Sequence, residues 1–122
     1  MIDEIVKKYR SDRTRLLDIF WDVQDLKGFI SESDLASIAT ALETSTSDLN
    51  EVLTFYHFLR DRPGGRFVIY LDTSITAELS GAGEVRKHFE SLLGIQTGGV
   101  TADGLFGLYE TSCIGMNDQG PA

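Results

Sequence analysis

Cys113 is the only cysteine in the chain. One thiol excludes an intramolecular disulfide, and it excludes a metal or iron–sulfur site built from this chain's cysteines alone. Basic residues are also in short supply, 11 against 19 acidic ones, giving a formal net charge of −8. The deficit is shared, with 8 basic and 12 acidic residues in 1–62 and 3 and 7 in 63–122. There is no basic stripe to meet a phosphate backbone, so nucleic-acid binding is not expected, and the same charge argues against reading the leading helices as a DNA-binding helix-turn-helix. Long apolar runs are missing too. Nothing approaches the ~18 residues of a membrane-spanning helix, and the N-terminus has no signal-peptide core, so the expectation is no membrane insertion and a cytoplasmic location.

What remains has the composition of a globular domain. The 122 residues are 42% apolar and 25% charged, enough for one ordinary domain, or for a helical part and a small α/β part. The leading half reads as helices in series. Ile2, Ile5, Val6 and Tyr9 have helical spacing over Ile2 to Arg10. Leu16, Leu17, Ile19, Phe20, Val23 and Leu26 mark a longer helix that Gly28 stops, with Trp21 beside the stripe. Ser31 and Asp34 form a capping-box pattern with Asp in place of Glu, ahead of Leu35, Ile38, Ala39 and Leu42. The run Thr44-Ser45-Thr46-Ser47 supplies another cap, followed by Leu49, Val52, Leu53, Tyr56 and Leu59, and Pro63-Gly64-Gly65 closes the segment. Residues 1–62 are therefore expected to form a small helical bundle.

The second half changes character at Phe67. Phe67, Val68, Ile69, Tyr70 and Leu71 have the composition of a strand buried on both faces. Val85, Phe89, Leu92 and Leu93 predict a helix over Ala82 to Leu93 with Gly94 as its cap, and Leu105 to Tyr109 predicts a second strand. Strand, helix, strand implies a parallel β-α-β crossover. The fold class is thus mixed α+β or α/β, with residues 66–122 forming the β-α-β region. In such sheets ligands sit beyond the carboxyl ends of the strands, which directs attention to the loop from Asp72 to Ala77 and to the segment starting at Cys113.

Most candidate motifs there have a plain structural reading. Gly81-Ala82-Gly83 follows the strand late, and Arg86 stands where a dinucleotide loop needs its third glycine. A strand ending in Asp72 has the outline of a phosphoaspartyl site, but Ser74 occupies the place of the second, magnesium-binding Asp. His57 and His88 are read as structural, and the aromatic run Phe55-Tyr56-His57-Phe58 as a packing surface. Cys113 is read as an unliganded loop cysteine, the alternative being a ligand or a reactive thiol.

Longer strings carry a resemblance. The order of helices, Thr54-Phe55-Tyr56, strand, helix, strand and Cys113-Ile114-Gly115 resembles the 24 kDa, thioredoxin-like 2Fe-2S ferredoxin subunit of respiratory NADH:quinone oxidoreductase. KKYRSDRTRLLDIFWDVQ at Lys7 to Gln24, FYHFLRDRPGGRFVIYL at Phe55 to Leu71 and CIGMNDQGPA at Cys113 to Ala122 are most similar to the N-terminal segment of the diaphorase flavoprotein subunit of NAD-reducing hydrogenases. The resemblance implies a thioredoxin-like ferredoxin region, here ending before two further strands of the family. It also implies four ligand positions, a Cys-x4-Cys pair that falls on Asp72 and Ala77 and a Cys-x3-Cys pair that falls on Cys113 and Asn117. Only Cys113 keeps the thiolate. The implied function is a structural or docking module of an NAD(H)-dependent oxidoreductase complex, with a degenerate cluster site. No cofactor or metal is then expected in the isolated chain, and no catalysis by the chain alone. The alternative is a working 2Fe-2S electron carrier with non-cysteine or partner-supplied ligands. Expected partners are flavoprotein, diaphorase or hydrogenase subunits, or a second copy of the chain.

Overall fold

The structure is a computed structural model that describes residues 1–122, apart from the side chain of Asn117. The chain divides into two compact units, Met1–Pro63 and Gly64–Ala122.

The first unit is helical: α1 (Ile2–Lys8), α2 (Leu16–Lys27), α3 (Glu32–Ala41) and α4 (Thr46–Phe55). Its punctuation is local. Asp12 Oδ1 accepts the Thr14 N–H at 2.8 Å and opens a single 3-10 turn leading into α2. Gly28 ends α2 with φ +88°, a left-handed conformation open to glycine at little cost. The capping box at α3 is complete: Ser31 Oγ accepts the Asp34 N–H at 3.2 Å and Asp34 Oδ2 accepts the Ser31 N–H at 2.9 Å. Ser45 caps α4 through the Asp48 N–H at 3.1 Å. The buried faces of these helices meet in one core of Val6, Ile19, Phe20, Val23, Ile38, Leu49 and Leu53 with their neighbours. Each large side chain so buried contributes about 1.5–3 kcal/mol. That burial, more than helix propensity, is what makes short helices persist.

Three expectations are corrected in this unit. Helix α1 stops at Lys8. Helix α4 stops at Phe55, because Tyr56 turns extended (ψ 117°) and the backbone beyond it is hydrogen-bonded elsewhere, so Leu59 reaches the core from the turn that follows the helix, its N–H on the Tyr56 carbonyl at 3.2 Å. Leu26, counted in the α2 stripe, is 57% exposed, and the fully buried apolar residue at this end is Ile30 of the following loop.

The second unit contains β1 (Phe67–Asp72), α5 (Ile75–Leu79), α6 (Ala82–Leu93) and β2 (Phe106–Thr111). The strands are parallel and in register from Phe67 opposite Phe106 to Asp72 opposite Thr111. Strand alternation puts Phe67, Ile69, Leu71, Phe106, Leu108 and Glu110 on one face and Val68, Tyr70, Asp72, Gly107, Tyr109 and Thr111 on the other. Helix α6 lies across the first face, where Arg86 Nη1 reaches Glu110 Oε1 at 3.0 Å. Ring pairs reinforce the register, Phe67 with Phe106 at 5.7 Å and Tyr70 with Tyr109 at 6.0 Å between centroids.

Beyond α6, which ends at Gly94 (φ +67°), Glu90 accepts both the N–H (3.0 Å) and the hydroxyl (2.9 Å) of Thr97. These two bonds hold the Glu90 carboxyl below its ordinary pKa. The chain then returns along β2, with the Gly98 N–H donating to the Leu108 carbonyl at 2.7 Å and the Leu108 N–H to the Gly99 carbonyl at 3.1 Å.

Contrary to expectation, β1 is not buried on both faces: Phe67 is 53% exposed, and only Leu71 and Asp72 are fully buried. The second strand begins at Phe106 and runs two residues past Tyr109. Leu92 points away from the core that Val85, Phe89 and Leu93 face, at 72% exposure. Among the described residues no helix is long and apolar enough to cross a membrane.

Candidate functional site at the strand-end loops

Because β1 and β2 are parallel, their carboxyl ends share one edge of the sheet, and the loops that follow them are neighbours. The join is direct. Thr73 donates its backbone N–H (2.9 Å) and its hydroxyl (3.0 Å) to the carbonyl of Thr111. The backbone bond is the next rung of the parallel ladder, whereas the hydroxyl bond is additional to anything the sheet requires.

Each position picked out by the sequence has a defined place around that join. Asp72, the last residue of β1, is 2% exposed. Its Oδ1 accepts the Ser74 N–H at 2.7 Å, and its own N–H donates to the Ala122 carbonyl at 3.0 Å. Ala77 lies inside α5, 2% exposed, with its N–H on Ser74 Oγ at 3.3 Å. Cys113 follows Thr111 by two residues, is exposed, and its sulfur accepts the Gly115 N–H at 3.3 Å. The Asn117 side chain lies outside the described residues.

Sequence reading missed α5, taking 72–77 as loop, although Asp72-Thr73-Ser74 is a run of capping residues. Ser74 supplies the N-cap. It also missed Arg86, whose guanidinium joins Glu78 of α5 (3.3 Å) to Glu110 of β2 (3.0 Å). All three side chains are part-exposed, so the bridge adds little to stability. His57 and His88 are both exposed. Among the described residues no group of three or more His, Cys, Asp or Glu side chains is placed to hold a metal ion.

Helices are thus followed by a parallel β-α-β unit, with a cysteine just beyond the second strand. The family model of the thioredoxin-like [2Fe-2S] ferredoxins matches residues 2–122, and the chain belongs to that family. It is 45% identical over 121 residues to the NAD-reducing hydrogenase HoxS subunit alpha of Cupriavidus necator, a match covering 99% of this chain and 20% of that one. It is 32% identical over 120 residues to the E subunit of NADH-quinone oxidoreductase from Buchnera aphidicola subsp. Baizongia pistaciae, covering 98% of this chain and 70% of the relative. The crystal structure of an NAD+-reducing [NiFe]-hydrogenase in the air-oxidized state superimposes with a TM-score of 0.72 at 27% identity, covering 88% of this chain and 18% of that one. The chain thus spans about a fifth of the hydrogenase relative and about seven-tenths of the quinone-oxidoreductase relative.

At the positions that the resemblance implies as cluster ligands, the side chains described are not those of a four-thiolate 2Fe-2S site. Ala77 has no donor atom, and the Asp72 carboxylate is turned to a backbone N–H of its own loop. Iron in such clusters selects soft thiolate ligands, which a hydrogen-bonded carboxylate does not replace.

Proposed function

We propose that this chain is a structural or docking module of an NAD(H)-linked oxidoreductase assembly, and that its cluster site is degenerate. The observation that carries the reading is the residue set at the strand ends: one thiolate, Cys113, with Asp72, Ala77 and Asn117 at the other positions that the resemblance assigns as ligands. The kinship with subunits of NAD-reducing hydrogenase and NADH-quinone oxidoreductase supports a place within an assembly of that kind. In this reading the chain neither carries electrons nor catalyses. Its contribution is shape, a helical unit and a β-α-β unit that a diaphorase or hydrogenase subunit, or a second copy, recognises.

Anaerobic reconstitution with iron and sulfide tests the site. The wild-type chain should stay colourless, while D72C/A77C/N117C should take up two irons and two sulfides per chain, since only the triple variant joins four thiolates to the assigned positions. A stoichiometric visible band with a reduced-state EPR signal in the wild type would overturn the degenerate-site reading. Light scattering tests the docking part. A mass that remains monomeric at every concentration, alone and mixed with a diaphorase or hydrogenase subunit, would overturn it.

A further inference from the structure

We infer that in this chain hydrogen bonds have taken over the cross-link between the two strand ends that a bound cluster would supply, with Thr73 making the link and Asp72 closing the first loop on itself. The inference rests on the proposed loss of the cluster and adds what holds the loops in its place.

Three observations converge. The bonds from Thr73 to the Thr111 carbonyl, at 2.9 and 3.0 Å, run from the loop after β1 to the end of β2, across the junction that separates the two pairs of assigned positions. With two donors, that carbonyl has both lone pairs engaged. The first loop is also closed on itself: Asp72 Oδ1 holds the Ser74 N–H, and Ser74 Oγ holds the Ala77 N–H. These bonds join the two positions of the first pair, Asp72 and Ala77, through Ser74. Finally, Asp72 and Thr111 are 2% and 5% exposed, and a buried polar group without a partner is costly. Among the described residues no buried side-chain polar atom lacks one. The Asp72 carboxylate and the Thr111 carbonyl are thus engaged by donors of the chain itself.

Backbone amide exchange of the full chain, followed by NMR with and without a chelator, tests this through four proteins: wild type, Thr73→Val, Asp72→Ala and Asp72→Asn. Thr73→Val keeps the shape and the ladder bond but deletes the hydroxyl. Asp72→Asn keeps an acceptor at Oδ1, and Asp72→Ala does not. The wild type should show the same loop protection and the same melting midpoint with chelator present. Thr73→Val should speed exchange across Thr73 to Ala77 by about tenfold, the change that loss of one ordinary hydrogen bond produces. Asp72→Ala should do the same at Ser74, with Asp72→Asn close to wild type, while Leu108 in the strand stays protected in all four. If the variants exchange like wild type, the inference is overturned even though the cluster reading stands. If chelation strips loop protection from the wild type, or if iron and sulfide are needed to produce it, both fail.

Discussion

Gln24 grips the backbone of Arg60: its Oε1 accepts the Arg60 N–H at 2.7 Å, while its Nε2 donates to the nearby Phe58 carbonyl at 2.8 Å. A side chain only 4% exposed in the middle of α2 thus holds the non-helical backbone that follows α4. The Arg60 carbonyl in turn accepts the Ile30 N–H at 2.8 Å, and its guanidinium reaches the Gly28 carbonyl. This is why α4 ends where it does, since continuing the helix would forfeit these bonds and withdraw Leu59 from the core.

Gln24→Leu should accordingly destabilise the helical unit by about 2–3 kcal/mol, because it removes two part-buried hydrogen bonds to the backbone, one accepted and one donated, and puts nothing polar in their place. Gln24→Glu keeps the acceptor for Arg60 but sets a second acceptor against the Phe58 carbonyl and brings a charge into a buried site, so it should destabilise as well. Urea unfolding followed by circular dichroism would measure the order. Equal stability of wild type and Gln24→Leu would contradict it.

The pair Lys27 and Asp34 makes stability depend on pH. Burial pushes the Asp34 carboxyl up, but the Lys27 ammonium at 2.6 Å and the hydroxyl and N–H of Ser31 outweigh it and set the pKa below the usual carboxylate value. A carboxylate whose folded pKa is depressed adds stability above its unfolded pKa, about 3.9, and loses it as pH falls through the folded value. The difference in melting midpoint between wild type and Asp34→Asn should therefore be constant near neutrality and shrink once pH falls below about 4. A gap that widens on acidification would reverse the assigned sign.

Gly107 permits the closest backbone approach in the β-α-β unit. A Cβ built there would stand 1.9 Å from the Gly64 carbonyl oxygen and 2.8 Å from the Tyr109 ring. Backbone cannot swing aside as a side-chain tip can, so Gly107→Ala should cost about 3 kcal/mol, the upper end for overpacking. Loss of the near-ultraviolet signal of Tyr70 and Tyr109 at lower denaturant would report it. An unchanged midpoint would mean that the Gly64 turn is free to move.

What the sequence determined by itself is what a few adjacent residues decide. The box of Ser31 and Asp34, the stop at Gly28 and the stop at Gly94 are each settled within one helical turn, and all three stand in the structure as read. The apolar runs at Phe67 and Leu105, separated by a helix-length segment, sufficed for a parallel pair. The strings at Lys7 to Gln24, Phe55 to Leu71 and Cys113 to Ala122 sufficed for the family.

Tertiary structure decided the rest, because it depends on groups remote in the chain. Gln24 meets its partners 34 and 36 residues away, and Thr73 meets Thr111 at a separation of 38. No local pattern distinguishes a glutamine that clamps a distant backbone from one that faces water. Exposure behaves likewise: Leu26 and Leu92 satisfy the helical spacing, yet burial depends on whether another element lies over that turn. At the strand ends, sequence alone indicates that thiolates are few. Only the folded loops reveal that Asp72, Thr73 and Ser74 are occupied with one another and with Thr111, because hydrogen-bond partners are chosen by distance in space.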